Sequence, residues 1–263
     1  MSDRPATVAV LGLGDAGGLI ARDLVTAGAT VRGFDPRVPA PEGVRPASDD
    51  ADACRGADLV LSVNSAADAL DALRQGLPGC APGIVWADLN TAAPRLKEQV
   101  ADAAGDRVSV VDVAIMAPVP GRGLATPMIV SGDGAEAYAR MLRPLGATID
   151  VLSEPVGAAA TRKLLRSVFY KGMAAAVLEA VEAARAAGLA DWLQDNIRDE
   201  LDRTDGATLD RMLHGSWVHA VRRTEEMAAA AQLLDDLGVP CRVARASRDW
   251  LADLAARPPH GEP

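Results

Sequence analysis

The stretch Val8-Ala9-Val10-Leu11-Gly12-Leu13-Gly14-Asp15-Ala16-Gly17 decides how this chain is read. An apolar run enters three glycines spaced G-x-G-x-x-G, and a helical segment follows. In such a strand–turn–helix unit each glycine has its own task. Gly12 permits the tight turn, and Gly14 lets a pyrophosphate approach the backbone. Gly17 lets the helix pack closely on the strand, with the helix N-terminus facing the phosphates. A second apolar run, Thr30–Phe34, leads into Asp35 about twenty residues on, where a ribose-binding acid belongs. A carboxylate there accepts hydrogen bonds from an unphosphorylated ribose and repels a 2′-phosphate, so NAD is the expected cofactor. Arg37, just beyond, is the residue through which NADP would bind instead. Leu13, Asp15, Ala16 and Asn64 complete the expected cofactor contacts.

Outward from this unit the same rhythm repeats. Short apolar strands are expected at Thr7–Leu11, Thr30–Phe34, Leu59–Val63, Ile84–Asp88 and Val108–Val113, with helices near 17–27, 66–75 and 94–104 between them. Strands that are apolar throughout belong to a sheet covered on both faces, and the β-α alternation predicts a Rossmann-type, doubly wound parallel sheet. Two more strands, Met128–Val130 and Thr148–Leu152, flank a helix at Ala135–Leu142 and extend that sheet. After Pro155 the pattern becomes helical: a long helix over 158–187, a C-cap at Gly188, then helices near 191–202, 208–213, 216–237 and 243–256. The expected organisation is a dinucleotide-binding domain over 1–155, an all-α domain over 156–257, and a frayed tail over 258–263.

Composition narrows the function classes. The 263 residues carry a net charge of −9, which disfavours nucleic acid or an anionic membrane surface as partner. Three widely spaced cysteines suit neither a disulfide framework nor a zinc site, and free thiols fit a reducing, cytoplasmic location. No run approaches the ~20 apolar residues of a membrane helix, and the glycines after Leu11 break the only signal-peptide-like run. His214 and His219 are five residues apart and do not share a helical face, so no metal is expected. No G-x-S-x-G elbow supports a serine hydrolase.

Four segments, in order, resemble the β-hydroxyacid dehydrogenase family, which includes 3-hydroxyisobutyrate dehydrogenase and, more distantly, 6-phosphogluconate dehydrogenase. The first is the glycine turn. The second, Asp88-Leu89-Asn90-Thr91-Ala92-Ala93-Pro94, is similar to the family's D-x-S-T-x-x-P, which lies beside the nicotinamide and so assigns Asn90 and Thr91 to the cofactor. The third, Asp112-Val113-Ala114-Ile115-Met116-Ala117, stands where the family has D-A-P-V-S-G, its substrate-carboxylate motif. The fourth, Gly157 to Lys163, is similar to G-x-G-x-x-x-K, whose lysine is catalytic. The resemblance implies an NAD(P)-dependent oxidoreductase acting on a small β-hydroxy acid, semialdehyde or related carbonyl compound, with Lys163 as general acid and base. It also implies a homodimer paired through the helical domain.

The departures leave alternatives open. Met116 and Ala117 replace the serine and glycine of the carboxylate motif, and Ser167 replaces an asparagine one turn after the lysine. Imine reductases and reductive aminases share this architecture and similar departures, and a nucleotide-binding protein without turnover is the third reading. Lys163 sits in the first turns of a helix beside Arg162 and Arg166, where the helix dipole and like charges disfavour its ammonium form, as a proton-transfer role needs. Ser167 and Tyr170, four and seven residues on, share its face as substrate contacts. Lys171 is rotated by roughly 80° from that face. Arg122, in a Pro- and Gly-rich loop, is the remaining anion-binding candidate.

Overall fold

The computed structural model describes residues 5–257, which fall into two compact units dividing between Arg166 and Ser167. The expected tail over 258–263 lies outside the described residues.

The first unit is built on an eight-stranded sheet. Its strands are β1 (Thr7–Leu11), β2 (Thr30–Phe34), β3 (Arg45–Pro46), β4 (Leu59–Ser62), β5 (Ile84–Asp88), β6 (Val108–Ile115), β7 (Met128–Ser131) and β8 (Ile149–Val151). They lie in the order β3-β2-β1-β4-β5-β6-β7-β8. The expected parallel sheet holds from β3 to β6. β7 then pairs antiparallel with β6, because the loop 116–127 returns the chain without a crossover helix. Helices α1 (Asp15–Thr26), α2 (Asp50–Cys54), α3 (Ala69–Gly76), α4 (Pro94–Ala104) and α5 (Ala135–Leu142) fill the connections. Strand alternation divides the core between the two faces: Val8 and Val10 enter one apolar cluster with Ile20, Leu24 and Tyr138, while Ala9 and Leu11 enter the other with Leu73, Trp86 and Val100. That is why these strands read as continuously apolar.

The change of character at Pro155 marks where helical sequence begins. The first turn of α6 (Ala158–Ala186) nevertheless packs with the sheet, since Asp112 Oδ2 accepts from Gly157 and Ala160 and Ser131 Oγ accepts from Ala159. The division between units therefore falls later.

The second unit contains the rest of α6 with α7 (Ala190–Asp202), α8 (Gly206–Val218), α9 (Ala220–Asp236) and α10 (Val243–Ala256). The expected break near Gly215 is absent, since α8 runs through it to Val218 and is capped by His219. The buried cluster here is small: Ala183, Ala231, Leu234, Cys241 and Ala244. The Glu179 carboxylate caps α10 from a distance, accepting from the backbone N–H groups of Arg242, Val243 and Ala244 at 2.6, 2.8 and 2.7 Å.

Candidate active site

The glycine turn is constrained by its neighbours. Gly12 has φ +94°, and a Cβ there would lie 2.4 Å from the Val63 carbonyl oxygen. A Cβ on Gly17 would lie 1.9 Å from the Gly12 oxygen, so this glycine sets how closely α1 sits on β1. At Gly14 nothing stands within 4 Å of that position. This is the open side of the turn, and no side chain caps α1 there. Asp15 and Ala16 form the helix's first turn, whose N–H groups suit an anion. The Leu13 side chain is buried in the core, and its N–H donates to Asp35 Oδ2 at 2.8 Å.

Asp35 Oδ1 accepts from the N–H groups of Arg37 and Val38 at 2.8 and 3.0 Å. Burial opposes its charge, but the donors from Arg37, Leu13 and Val38, with the Arg37 guanidinium, outweigh it and hold the carboxyl below its ordinary value. A cavity of about 560 Å³ opens here, lined by Gly12, Gly14, Asp35, Arg37, Asp50 and Asn64 among others. Asn64 Oδ1 is buried without a hydrogen-bond partner among the described residues. Asp50 is buried at the start of α2, where burial and then the charges of Asp49 and Asp35 push its carboxyl up to about 6. The glycine cradle, the anchored Asp35 and the unused Asn64 acceptor fit a nicotinamide dinucleotide.

The second focus lies at the ends of β5 and β6. Lys163 Nζ donates to Thr91 Oγ1 at 2.8 Å, joining two segments 72 residues apart. Asn90, beside Thr91, is buried and donates its backbone N–H and Nδ2 to Asp88 Oδ1 at 3.0 and 2.6 Å, while its own Oδ1 has no partner among the described residues. Met116 and Ala117 follow β6, half-buried, and the Met116 N–H bonds the Pro127 carbonyl. Arg122 is exposed in the loop after them, a loop anchored to α1 by the Leu124 N–H donating to Asp23. Ser167 and Tyr170 belong to the second unit, where Tyr170 stacks edge-on against Phe169.

Sequence reading missed Lys97, which is 1% exposed. Its ammonium donates to the Asp88 carbonyl oxygen at 2.8 Å and lies 3.3 Å from both Asp88 Oδ2 and Asp112 Oδ1. A signal existed: Lys97, Val100 and Ala104 share the buried stripe of α4, where a lysine must have anionic partners.

Residues 7–152 match the family described as the NAD binding domain of 6-phosphogluconate dehydrogenase, and residues 184–254 match a domain of unknown function, DUF1932. The 3-hydroxyisobutyrate dehydrogenase of Pseudomonas aeruginosa is 30% identical over 143 residues, covering 51% of this chain and 48% of that enzyme. The match thus spans about half of the relative's length. A conserved protein of unknown function, itself described as structurally similar to 3-hydroxyacid dehydrogenases, is 27% identical. It superposes with a TM-score of 0.61 over 95% of this chain and 98% of its own. The imine reductase of Myxococcus stipitatus in complex with NADP+ reaches a TM-score of 0.79 over 95% and 94% of the two chains, at 21% identity, which is a likeness of fold.

Proposed function

The chain belongs to the family of the NAD binding domain of 6-phosphogluconate dehydrogenase, and from that premise we propose a reaction for this NAD(P)-dependent oxidoreductase. It transfers a hydride between the nicotinamide and a small β-hydroxy acid, semialdehyde or related carbonyl compound, with Lys163 as general acid and base. The observation that carries this reading is the bond from Lys163 to Thr91, which unites the strand-end segment and the lysine helix. The bound nicotinamide supplies or accepts the hydride. Lys163 gives its ammonium proton to the carbonyl oxygen on reduction and takes the hydroxyl proton on oxidation. Thr91 Oγ1 holds the lysine by accepting from Nζ. Arg122, Ser167 and Tyr170 are the proposed polar contacts to the substrate, and Met116 and Ala117 an apolar wall.

Replacing Lys163 with Ala is expected to leave NADH binding intact and to lower turnover by about 10²–10⁴-fold. Near-native turnover in that variant on the true substrate would overturn the assignment. Imine reduction is the second reading, favoured by Met116 and Ala117 standing where a carboxylate-binding serine and glycine would be. A panel of carbonyl compounds against cyclic imines, followed at the nicotinamide absorbance, separates the two, and any turnover excludes a purely nucleotide-binding role.

NAD is favoured over NADP because Asp35, Asp50, Asp68 and Asp71 line the cavity against the single cation Arg37. The helical unit is proposed to pair with a second copy: Val168, Phe169, Leu178, Trp192, Leu209 and Trp217 are exposed on it. A monomer mass by light scattering at micromolar concentration would count against that. No helix of the described residues is long and apolar enough to cross a membrane, and a cytoplasmic location is part of the proposal.

A further inference from the structure

Lysine is rare in this chain. Of the 27 basic residues only Lys97, Lys163 and Lys171 are lysines; the rest are arginines. One of the three is wholly buried, which is unfavourable for a charge unless it is paired, and a well-packed apolar residue of similar volume would often be as stable. The ammonium of Lys97 faces three oxygens, the Asp88 carbonyl, Asp88 Oδ2 and Asp112 Oδ1. Only the carbonyl accepts a hydrogen bond from it; the two carboxylate oxygens, which have no hydrogen-bond donor among the described residues, are held by its charge as ion pairs at 3.3 Å.

The two carboxylates use their other oxygens on the two sides of the Lys163–Thr91 pair. Asp88 Oδ1 holds the backbone and side chain of Asn90, the residue before Thr91. Asp112 Oδ2 holds the N–H groups of Gly157 and Ala160, which begin the helix that presents Lys163 less than a turn later. Asp88 and Asp112 are themselves register partners on adjacent strands. Both halves of the proton-transfer pair therefore lead, through one carboxylate each, to the same buried ammonium.

We propose that Lys97 is a positioning residue, which locks the Asn90–Thr91 strand end to the start of α6 and so sets Lys163 against Thr91. This rests on the reading of Lys163 given above. A reacting group displaced by about an ångström can lose roughly 10²-fold in rate, so the lock acts on the chemical step rather than on binding.

The test compares Lys97→Met with Val100→Ala, which trims a buried residue on the same face of α4 away from the charges. Reductive methylation with ¹³C-formaldehyde labels accessible lysines for NMR, and the Lys163 signal is assigned by its loss in Lys163→Ala. In Lys97→Met the Lys163 resonance should shift, and kcat should fall roughly 10–100-fold with KM and NADH affinity unchanged. Val100→Ala should lower Tm and leave the resonance and kcat in place. If Lys97→Met does not fold, the charge-matched Lys97→Met/Asp112→Asn variant replaces it, with the same expectation. A native Lys163 resonance and native kcat in the folded variant would overturn the proposal while leaving the oxidoreductase reading intact. A shifted resonance in a protein that shows no hydride transfer even as wild type would sustain the Lys97 link and sink that reading instead.

Discussion

Two pairs of aspartates in the first unit are treated in opposite ways. Asp35 and Asp50 border an open cavity, and the donors that stabilise Asp35 are backbone N–H groups. Asp88 and Asp112 are sealed from solvent and share one ammonium. The first arrangement leaves charge facing the cavity. The second converts charge into rigidity, because a buried carboxylate cannot move without abandoning its donors. The contrast teaches that an aspartate beside the sheet is not one signal: its partner decides whether it borders an open cavity or fastens the frame.

Three substitutions sharpen or break that contrast. Asp112→Ala should have the largest effect, since it orphans the buried N–H groups of Gly157 and Ala160. A loss of roughly 2–4 kcal/mol in denaturant unfolding is expected, and a loss under half a kcal/mol would break the distinction. Asp35→Ala should destabilise less, as two of its three bonds are exposed. Its effect belongs to ligand choice: the preference for NADH over NADPH should narrow by about tenfold in fluorescence titrations. Tighter NADPH binding by the native protein would promote Arg37 instead.

The smallest effect is a pH dependence. Burial, then Asp49 and Asp35, raise the Asp50 carboxyl from 3.8 to about 6, so the native state holds this proton more tightly than the unfolded chain does. Stability is lost as pH rises through that window and stays lost above it. Asp50→Asn should therefore raise Tm by a few degrees at pH 7.5 and by almost nothing near pH 4. An equal shift at both values would show that Asp50 contributes through packing alone.

How far the sequence disclosed this molecule follows from the same physics. β1, β2, β5, α4 and α5 stand where periodicity and glycine punctuation put them, because burial on both sheet faces demands unbroken apolar runs. β3 escaped notice because two exposed residues, one a proline, carry no pattern. α2 is a five-residue helix capped by Asp49, too short for a period to emerge. At the site, glycine spacing and the position of Asp35 disclosed the cradle, since those residues act through local backbone geometry. Lys97, Asp88 and Asp112 act through a junction of three separate elements, and no local spacing encodes that. The traces left in the sequence were the rarity of lysine and the place of Lys97 on the apolar stripe of α4.

The cap that Glu179 places on α10 has a consequence in time. Its carboxylate reaches N–H groups 63 to 65 residues further along the chain, so that helix end is finished by a residue synthesised long before it. A nascent chain must emerge past Ala244 before the cap can form, and the loop it closes makes this a late, non-local step. Until then the buried cluster that holds Ala231 and Leu234 lacks the contribution of Ala244, and this incomplete core is open to mispairing with another copy.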